Sequence, residues 1–260
     1  MDPSDYEYRG LIAESWDLLR GDTSRWADRP FYRAVIERSG QPALDVGCGT
    51  GRILLDYLAQ GIEIEGLDNS PDMLAICRRK AAVLGLQPVL HQQELERLDL
   101  PRSYRTILIP SSTFQLVLDQ ADAAEALRRL RAHLAPGGTL VMSLMTLEGP
   151  PALGEWRLVR EAVRPEDGRL VRRWGRTAYD PASQLESTED RYEVLDGERV
   201  VASELHARSP ATRSYTQAQA VAILGAAGFV DVRLTSGFTE QPAAPADTLF
   251  CALGRRAEAD

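Results

Sequence analysis

The chain predicts an α/β fold: a doubly wound, mostly parallel sheet carrying an antiparallel β insertion. Three observations predict it. Short apolar runs alternate with helical periods between residues 41 and 148, the pattern of a parallel sheet covered by helices on both faces. The period changes to two between residues 149 and 209, which reads as antiparallel strands. The alternation returns from residue 210 to 254. A chain of 260 residues buries enough surface for one core domain with a subdomain.

Residues 1–40 read as a helical cap. From about Ser4 to Arg20, the positions Leu11, Ile12, Ser15, Trp16, Leu18 and Leu19 suit an amphipathic helix. A second helix runs from Arg29 to Ser39 and stops at Gly40. The core, 41–148, opens with a buried strand from Pro42 to Val46 and a helix from Arg52 to Gln60. Glu63–Leu67 is strand two. Ser70-Pro71-Asp72 supplies an N-cap with proline at the first helical position, starting a helix to about Leu84. Val89–His91 and Thr106–Pro110 are strands. Asp119–Leu134 is a helix, and Leu116, Leu127, Leu130 and Leu134 are expected buried positions. Pro136-Gly137-Gly138 breaks the chain before the strand Thr139–Leu144.

The insertion, 149–209, divides into strands at 155–163, 169–179, 184–195 and 198–208. Turn signals at Glu166-Asp167-Gly168 and Asp196-Gly197 separate them. It is either a lid or platform for an acceptor or an extension that covers a sheet face. The core resumes with a helix capped by Tyr215-Thr216 and stopped at Gly228. The strands Val230–Leu234 and Thr248–Leu253 complete it.

Composition narrows the partners. Lys plus Arg is 30 against 38 Asp plus Glu, a formal charge of −8, which disfavours a nucleic acid partner because phosphate neutralisation needs a basic surface. Three separated cysteines, Cys48, Cys77 and Cys251, suggest neither a disulfide framework nor a metal site. The acidic start lacks the pattern of a signal peptide, and no apolar run is long enough to span a bilayer. These features predict a cytoplasmic protein without a membrane partner.

The chemistry centres on Asp45-Val46-Gly47-Cys48-Gly49-Thr50-Gly51, where strand one meets its helix. Glycines let a backbone turn sharply and a ligand approach without a Cβ in its way. A dinucleotide turn reads G-x-G-x-x-G; here the third glycine position holds Arg52, and the glycine falls one residue early at Gly51. Strand two ends at Asp68, 17 residues after Gly51, where a carboxylate can accept both ribose hydroxyls of an adenosyl group.

Three segments, 44–52, 66–74 (Gly66-Leu67-Asp68-Asn69-Ser70-Pro71-Asp72-Met73-Leu74) and 134–140 (Leu134-Ala135-Pro136-Gly137-Gly138-Thr139-Leu140), together resemble the class I, Rossmann-like S-adenosylmethionine-dependent methyltransferases. The resemblance implies that fold, S-adenosylmethionine as cofactor, and methyl transfer to a small-molecule acceptor. It makes Asp45 a cofactor-binding residue and places Gly47, Cys48, Gly49 and Gly51 under the methionine moiety, Asp68 on the ribose, and Asn69 and Met73 beside the adenine. Glu94 stands where the family usually has Asp on the adenine amino group, and Leu95 flanks the base. Pro110 and Ser111 follow strand four, where the methyl lies. Trp16-Asp17 resembles the aromatic-Asp pair of members whose N-terminal helices close over the cofactor.

A sulfonium methyl is transferred by in-line displacement, so positioning is the protein's main contribution. A general base is needed for a hydroxyl acceptor and not for a neutral amine; the scarcity of an evident base near Ser111–Gln115 puts nitrogen ahead of oxygen. His206, Tyr179 and Tyr192 are the candidates for a base, with Tyr215 comparable to the tyrosines. Trp16, Phe114, Trp174 and Arg213 are candidates for the acceptor. Packing is the competing role for each, and His91 and His133 read as structural. A cofactor-binding regulator and a nicotinamide-dependent oxidoreductase remain alternatives.

Overall fold

The computed structural model describes residues 8–258, so the part of the N-terminal helix expected at residues 4–7 lies outside the described residues. Two helices, α1 (Gly10–Arg20) and α2 (Asp28–Ser39), precede β1 (Ala43–Val46), α3 (Leu54–Ala59), β2 (Ile64–Asp68), α4 (Pro71–Val83) and β3 (Leu90–Gln92). The chain continues through β4 (Tyr104–Ile109), α5 (Gln120–Ala132) and β5 (Leu134–Met145). A separate four-stranded sheet follows, β6 (Arg157–Val163), β7 (Leu170–Asp180), β8 (Leu185–Asp196) and β9 (Arg199–Arg213). The chain then returns through α6 (Gln217–Ala226), β10 (Val230–Ser236) and β11 (Leu249–Arg255).

The main sheet has the order β10-β11-β5-β4-β1-β2-β3. β1 pairs in parallel with both β2 and β4, and only β11 runs against its neighbours. The chain winds outward from β1 to β3, then reverses to β4, leaving a crevice at the carboxyl ends of β1 and β4. Such a switch point is where open α/β sheets bind ligands.

Alternation along the strands builds the core on both faces. Leu44, Val46, Ile107 and Ile109 pack with Leu127 and Leu130 of α5 and Leu224 of α6. Ala43 and Leu108 face the other way, with Val35 and Ile36 of α2, Leu54 of α3 and Leu74 of α4. The inserted sheet meets the core through α1: Leu11 and Ile12 are buried with Val171, Tyr192 and Val194.

Four expectations are corrected. Leu134 opens β5 instead of closing α5, whose last residue is Ala132. Pro136-Gly137-Gly138 does not precede β5 but lies inside it. The register with β4 jumps from Tyr104↔Leu134 to Thr106↔Thr139, so the extra residues form a bulge. Proline without an N–H and Gly137 at φ 71° are residues that a bulge accommodates. The helix expected from Arg52 begins at Leu54, and β9 continues to Arg213. Among the described residues no helix is long and apolar enough to cross a membrane.

Ser70 caps α4 as expected, accepting from Met73 N–H at 3.1 Å. Thr216 and Gln219 form a reciprocal capping box on α6. Thr216→Ala is expected to lower stability by about 1 kcal/mol, read as a shift of the urea midpoint at constant slope.

Candidate cofactor-binding site

The turn after β1 hangs from the end of β2. Leu67 carbonyl accepts Gly47 N–H at 2.7 Å and Cys48 N–H at 3.0 Å. Asp68 Oδ2 accepts Gly49 N–H and its Oδ1 accepts Ser70 N–H, both at 2.9 Å. Gly47 and Gly49 have φ of 70° and 54°, where a side chain is strained. A Cβ on Gly47 would collide with Thr113, whereas one on Gly49 would project into open space.

That open space is a cavity of about 410 Å³. Of the residues singled out in the sequence, Asp45, Gly47, Cys48, Gly49, Asp68 and Asn69 line it. So do Met73, Glu94, Leu95, Pro110, Ser111 and Trp16. Gly51 does not; it backs the turn, where a Cβ would stand 2.7 Å from Cys77 Sγ. α1 closes one side, because Asp17 accepts Thr50 Oγ1–H at 2.7 Å and pairs with Lys80 at 2.7 Å.

Burial governs the titration of the wall. It lifts the Asp45 carboxyl to about 7, against the opposing pull of the Arg52 guanidinium. It also raises Asp68, whose backbone donors Ser70, Gly49 and Asn69 act the other way. The Cys48 thiol is pushed up by burial and by the neighbouring Asp68 and Asp45, so it stays protonated and unreactive.

The fourth strand delivers a strained turn. Ser111 and Ser112 have φ of 54° and 59°, costing on the order of 1–3 kcal/mol each. The turn is held by its neighbours. Ser112 N–H donates to Ser143 Oγ at 3.2 Å, and Thr113 Oγ1–H donates to Pro110 carbonyl at 2.8 Å. Gln115 accepts Met145 N–H at 2.7 Å and donates to the carbonyls of Met145 and Arg213 at 3.0 and 2.6 Å.

Six sequence candidates stay out of the cavity. Phe114 is fully buried, with its ring 5.8 Å from that of Tyr215. Trp174 lies on the inserted sheet and donates Nε1–H to Glu193 at 2.8 Å. Arg213 is a strut, donating to the carbonyls of Leu118 and Ser183 at 2.6 and 3.2 Å. Tyr192 is core, and the His206 ring stands edge-on to it at 5.7 Å, with Nε2 3.1 Å from Glu204. Tyr179 lies against Gly149 and Pro150. His133 is structural: its Nε2 accepts Leu100 N–H at 2.9 Å, and its Nδ1 faces Arg129 carbonyl.

The cavity also takes in residues the sequence reading passed over, among them Tyr8, Arg20, Asp119, Asp122 and Arg208. Two of them carry a signal. Arg20 lies four residues after Trp16 and shares its helix face, and Arg208 shares a strand face with His206 by the period of two.

The wall fits an S-adenosylmethionine ligand. Asp45 Oδ1 is buried without a hydrogen-bond partner, an acceptor that an α-ammonium would satisfy, and Asp68 lines the same cavity with a carboxylate that ribose hydroxyls would satisfy. At the third position of a dinucleotide turn, Arg52 pairs with buried Asp28 at 3.1 Å. Among the described residues no group of three or more His, Cys, Asp or Glu side chains is placed to hold a metal.

A glycine turn at the switch point, with a carboxylate ending the next strand, defines an α/β protein that holds an adenosyl ligand. The family profile described as a methyltransferase domain matches residues 43–138. A demethylmenaquinone methyltransferase of Thermus thermophilus is 35% identical over 190 residues, 66% of this chain and 80% of that one. The dTDP-3-amino-3,6-dideoxy-alpha-D-glucopyranose N,N-dimethyltransferase of Streptomyces fradiae is 34% identical over 142 residues; the match spans 52% of this chain and about half, 54%, of that relative. The solved structure of a sugar N-methyltransferase from Streptoalloteichus superposes with a TM-score of 0.69 at 25% identity, covering 96% of each chain. The chain belongs to the class I S-adenosylmethionine-dependent methyltransferases, and its cofactor is S-adenosylmethionine.

Two outcomes follow from this wall. Asp68→Ala should weaken S-adenosylhomocysteine at least about tenfold, because each charge-assisted hydrogen bond to a ribose hydroxyl contributes about 1.5–3 kcal/mol. Calorimetry on the folded variant checks this, and unchanged affinity removes Asp68 from the ribose. Asp45 is protonated below its raised pKa of about 7 and cannot then attract an ammonium. Affinity for S-adenosylhomocysteine should therefore fall as pH drops through that value, and Asp45→Asn should flatten the profile.

Proposed function

We propose that the protein transfers a methyl group from S-adenosylmethionine to a small-molecule acceptor enclosed between the core and the inserted sheet, with an amine nitrogen favoured over a hydroxyl oxygen. One observation carries the reading: Arg208 of β9 lines the same cavity as Gly47, Asp68 and Ser111. An acceptor in that space meets the inserted sheet on one side and the cofactor turn on the other. The insertion is then a platform for the acceptor as well as cover for α1.

Bound S-adenosylmethionine supplies an electrophilic methyl on a sulfonium. The work of this chain is placement. The turn Pro110–Thr113 fixes where the acceptor nucleophile stands, in line behind the methyl, and α1 with Trp16 limits water at the cofactor. The nucleophile's lone pair forms the new carbon bond, the carbon–sulfur pair remains on sulfur, and an amine acceptor sheds a proton. Asp119 and Asp122 line the cavity past the strained turn, and their charges favour an ammonium and give its proton an acceptor. Both likenesses to sugar N-methyltransferases support nitrogen.

The acceptor panel decides. Amino sugars should turn over while their hydroxyl counterparts do not, and the reverse result moves the assignment to oxygen. Arg208→Ala should raise the KM of the acceptor by about tenfold, as loss of one charged contact does, and leave cofactor affinity unchanged. A variant with unaltered KM removes the inserted sheet from acceptor binding.

A further inference from the structure

Two of the guanidinium groups that line the cavity, Arg20 and Arg52, differ in their circumstances. Arg52 is neutralised, with Nη1 and Nη2 donating to the two carboxylate oxygens of Asp28. Arg20, in the last turn of α1, has no such partner; among the described residues it makes no ion pair. Asp17, one turn back, is already engaged by Thr50 and Lys80.

Arg20 is held by rings instead. Its Cζ lies 4.0 Å from the centroid of Trp16 and 5.6 Å from that of Trp26. Trp26 is shared, because Arg52 Cζ lies 5.0 Å from the same ring. Burial, then the charge of Arg52, lowers the pKa of Arg20. Tyr8, Asp17 and Asp28 pull the other way without forming a direct ion pair. A desolvated cation with no direct ion pair is costly, and a ring face returns only part of that cost. A planar fork fixed at the wall of a cavity matches a carboxylate bidentately.

We propose that Arg20 binds the α-carboxylate of the methionine moiety of the cofactor, with Trp16 and Trp26 fixing the plane of its guanidinium. The proposal rests on the family's use of S-adenosylmethionine at this cavity. The placement is consistent along the chain: the Asp17–Thr50 hydrogen bond seats α1 on the glycine turn, and Arg20 follows on the next turn of the same helix. The carboxylate would meet Arg20 while the α-ammonium meets the unpartnered Oδ1 of Asp45, so the two ends of the zwitterion have separate, oppositely charged partners. The competing role is local: a cation in the last turn of α1 complements the helix dipole and stacks on Trp16.

The test truncates the ligand and the protein together. Calorimetry compares S-adenosylhomocysteine with decarboxylated S-adenosylhomocysteine, which lacks only the carboxylate, on the wild type, Arg20→Gln and Arg20→Lys. Arg20→Gln should bind S-adenosylhomocysteine at least about tenfold more weakly, the loss of a charged hydrogen-bond pair, and bind the decarboxylated ligand as the wild type does. Arg20→Lys keeps the charge, loses the fork, and should fall between the two for S-adenosylhomocysteine alone. Equal losses for both ligands, or none for either, assign Arg20 to holding α1 and overturn the proposal. A wild type that binds neither ligand overturns the cofactor site itself, a result distinct from failure at Arg20.

Discussion

The carboxylate of Asp68 receives two backbone N–H groups that have come from different places: Gly49, in the turn leaving β1, and Ser70, which opens α4. With Leu67 carbonyl taking Gly47 and Cys48, the whole cofactor turn is suspended from the last two residues of β2. The geometry of β1 beside β2, fixed by the parallel register Val46↔Leu67, is therefore also the geometry of the site. Burial works against the charge on Asp68, and its backbone donors work for it. The same donors orient the carboxylate before any ligand arrives, so ordering entropy is met on folding and not on binding.

A second constraint runs through α1. Its first N–H groups are received by carboxylates from separate parts of the chain, Gly10 by Asp72 at 2.9 Å and Leu11 by Glu204 at 2.8 Å. Farther on, Asp17 holds Thr50 and Lys80. One short helix thus joins α4, the glycine turn and the inserted sheet, and it does so mostly through side chains at long sequence separation. Arg213 and Gln115 make the second junction, clamping the end of β9 to the turn after β4. Between these two junctions the insertion is attached on both sides of the cavity.

The parallel core was legible because strand and helix periods state it directly, and the caps at Ser70 and Thr216 behave as local chemistry requires. The Pro136-Gly137-Gly138 bulge was not, because the same residues end a helix or interrupt a strand, and pairing with β4 chooses between them. On the insertion, a period of two shows that Trp174 and Arg173 point to opposite faces but not which face meets the cavity. The ladder settles the faces: Trp174 stands opposite Arg191, and Arg173 opposite buried Tyr192. The glycine turn and the residues around it were visible as a contiguous motif. Arg20 shares a helix face with Trp16 and Arg208 a strand face with His206, but those local signals do not say that α1 and β9 pack so as to bring both side chains to the cavity.

The charges around the cavity bear on how rate is gained. Asp45, Asp68, Glu94, Glu96, Asp119 and Asp122 face it against Arg20, Arg52 and Arg208. A negative wall favours a sulfonium, but methyl transfer discharges sulfur, so a carboxylate field at that atom stabilises the ground state more than the transition state. Only interactions that strengthen toward the transition state raise the rate. In the proposed reaction the acids would therefore serve binding and, as sulfur becomes neutral, release of the product. Acceleration in that proposed reaction falls to alignment, and the strained pair Ser111–Ser112, pinned by Ser143, Thr113 and Gln115, is the element placed to provide it. Strain held in place by this many contacts would keep that wall of the cavity fixed as ligands enter and leave.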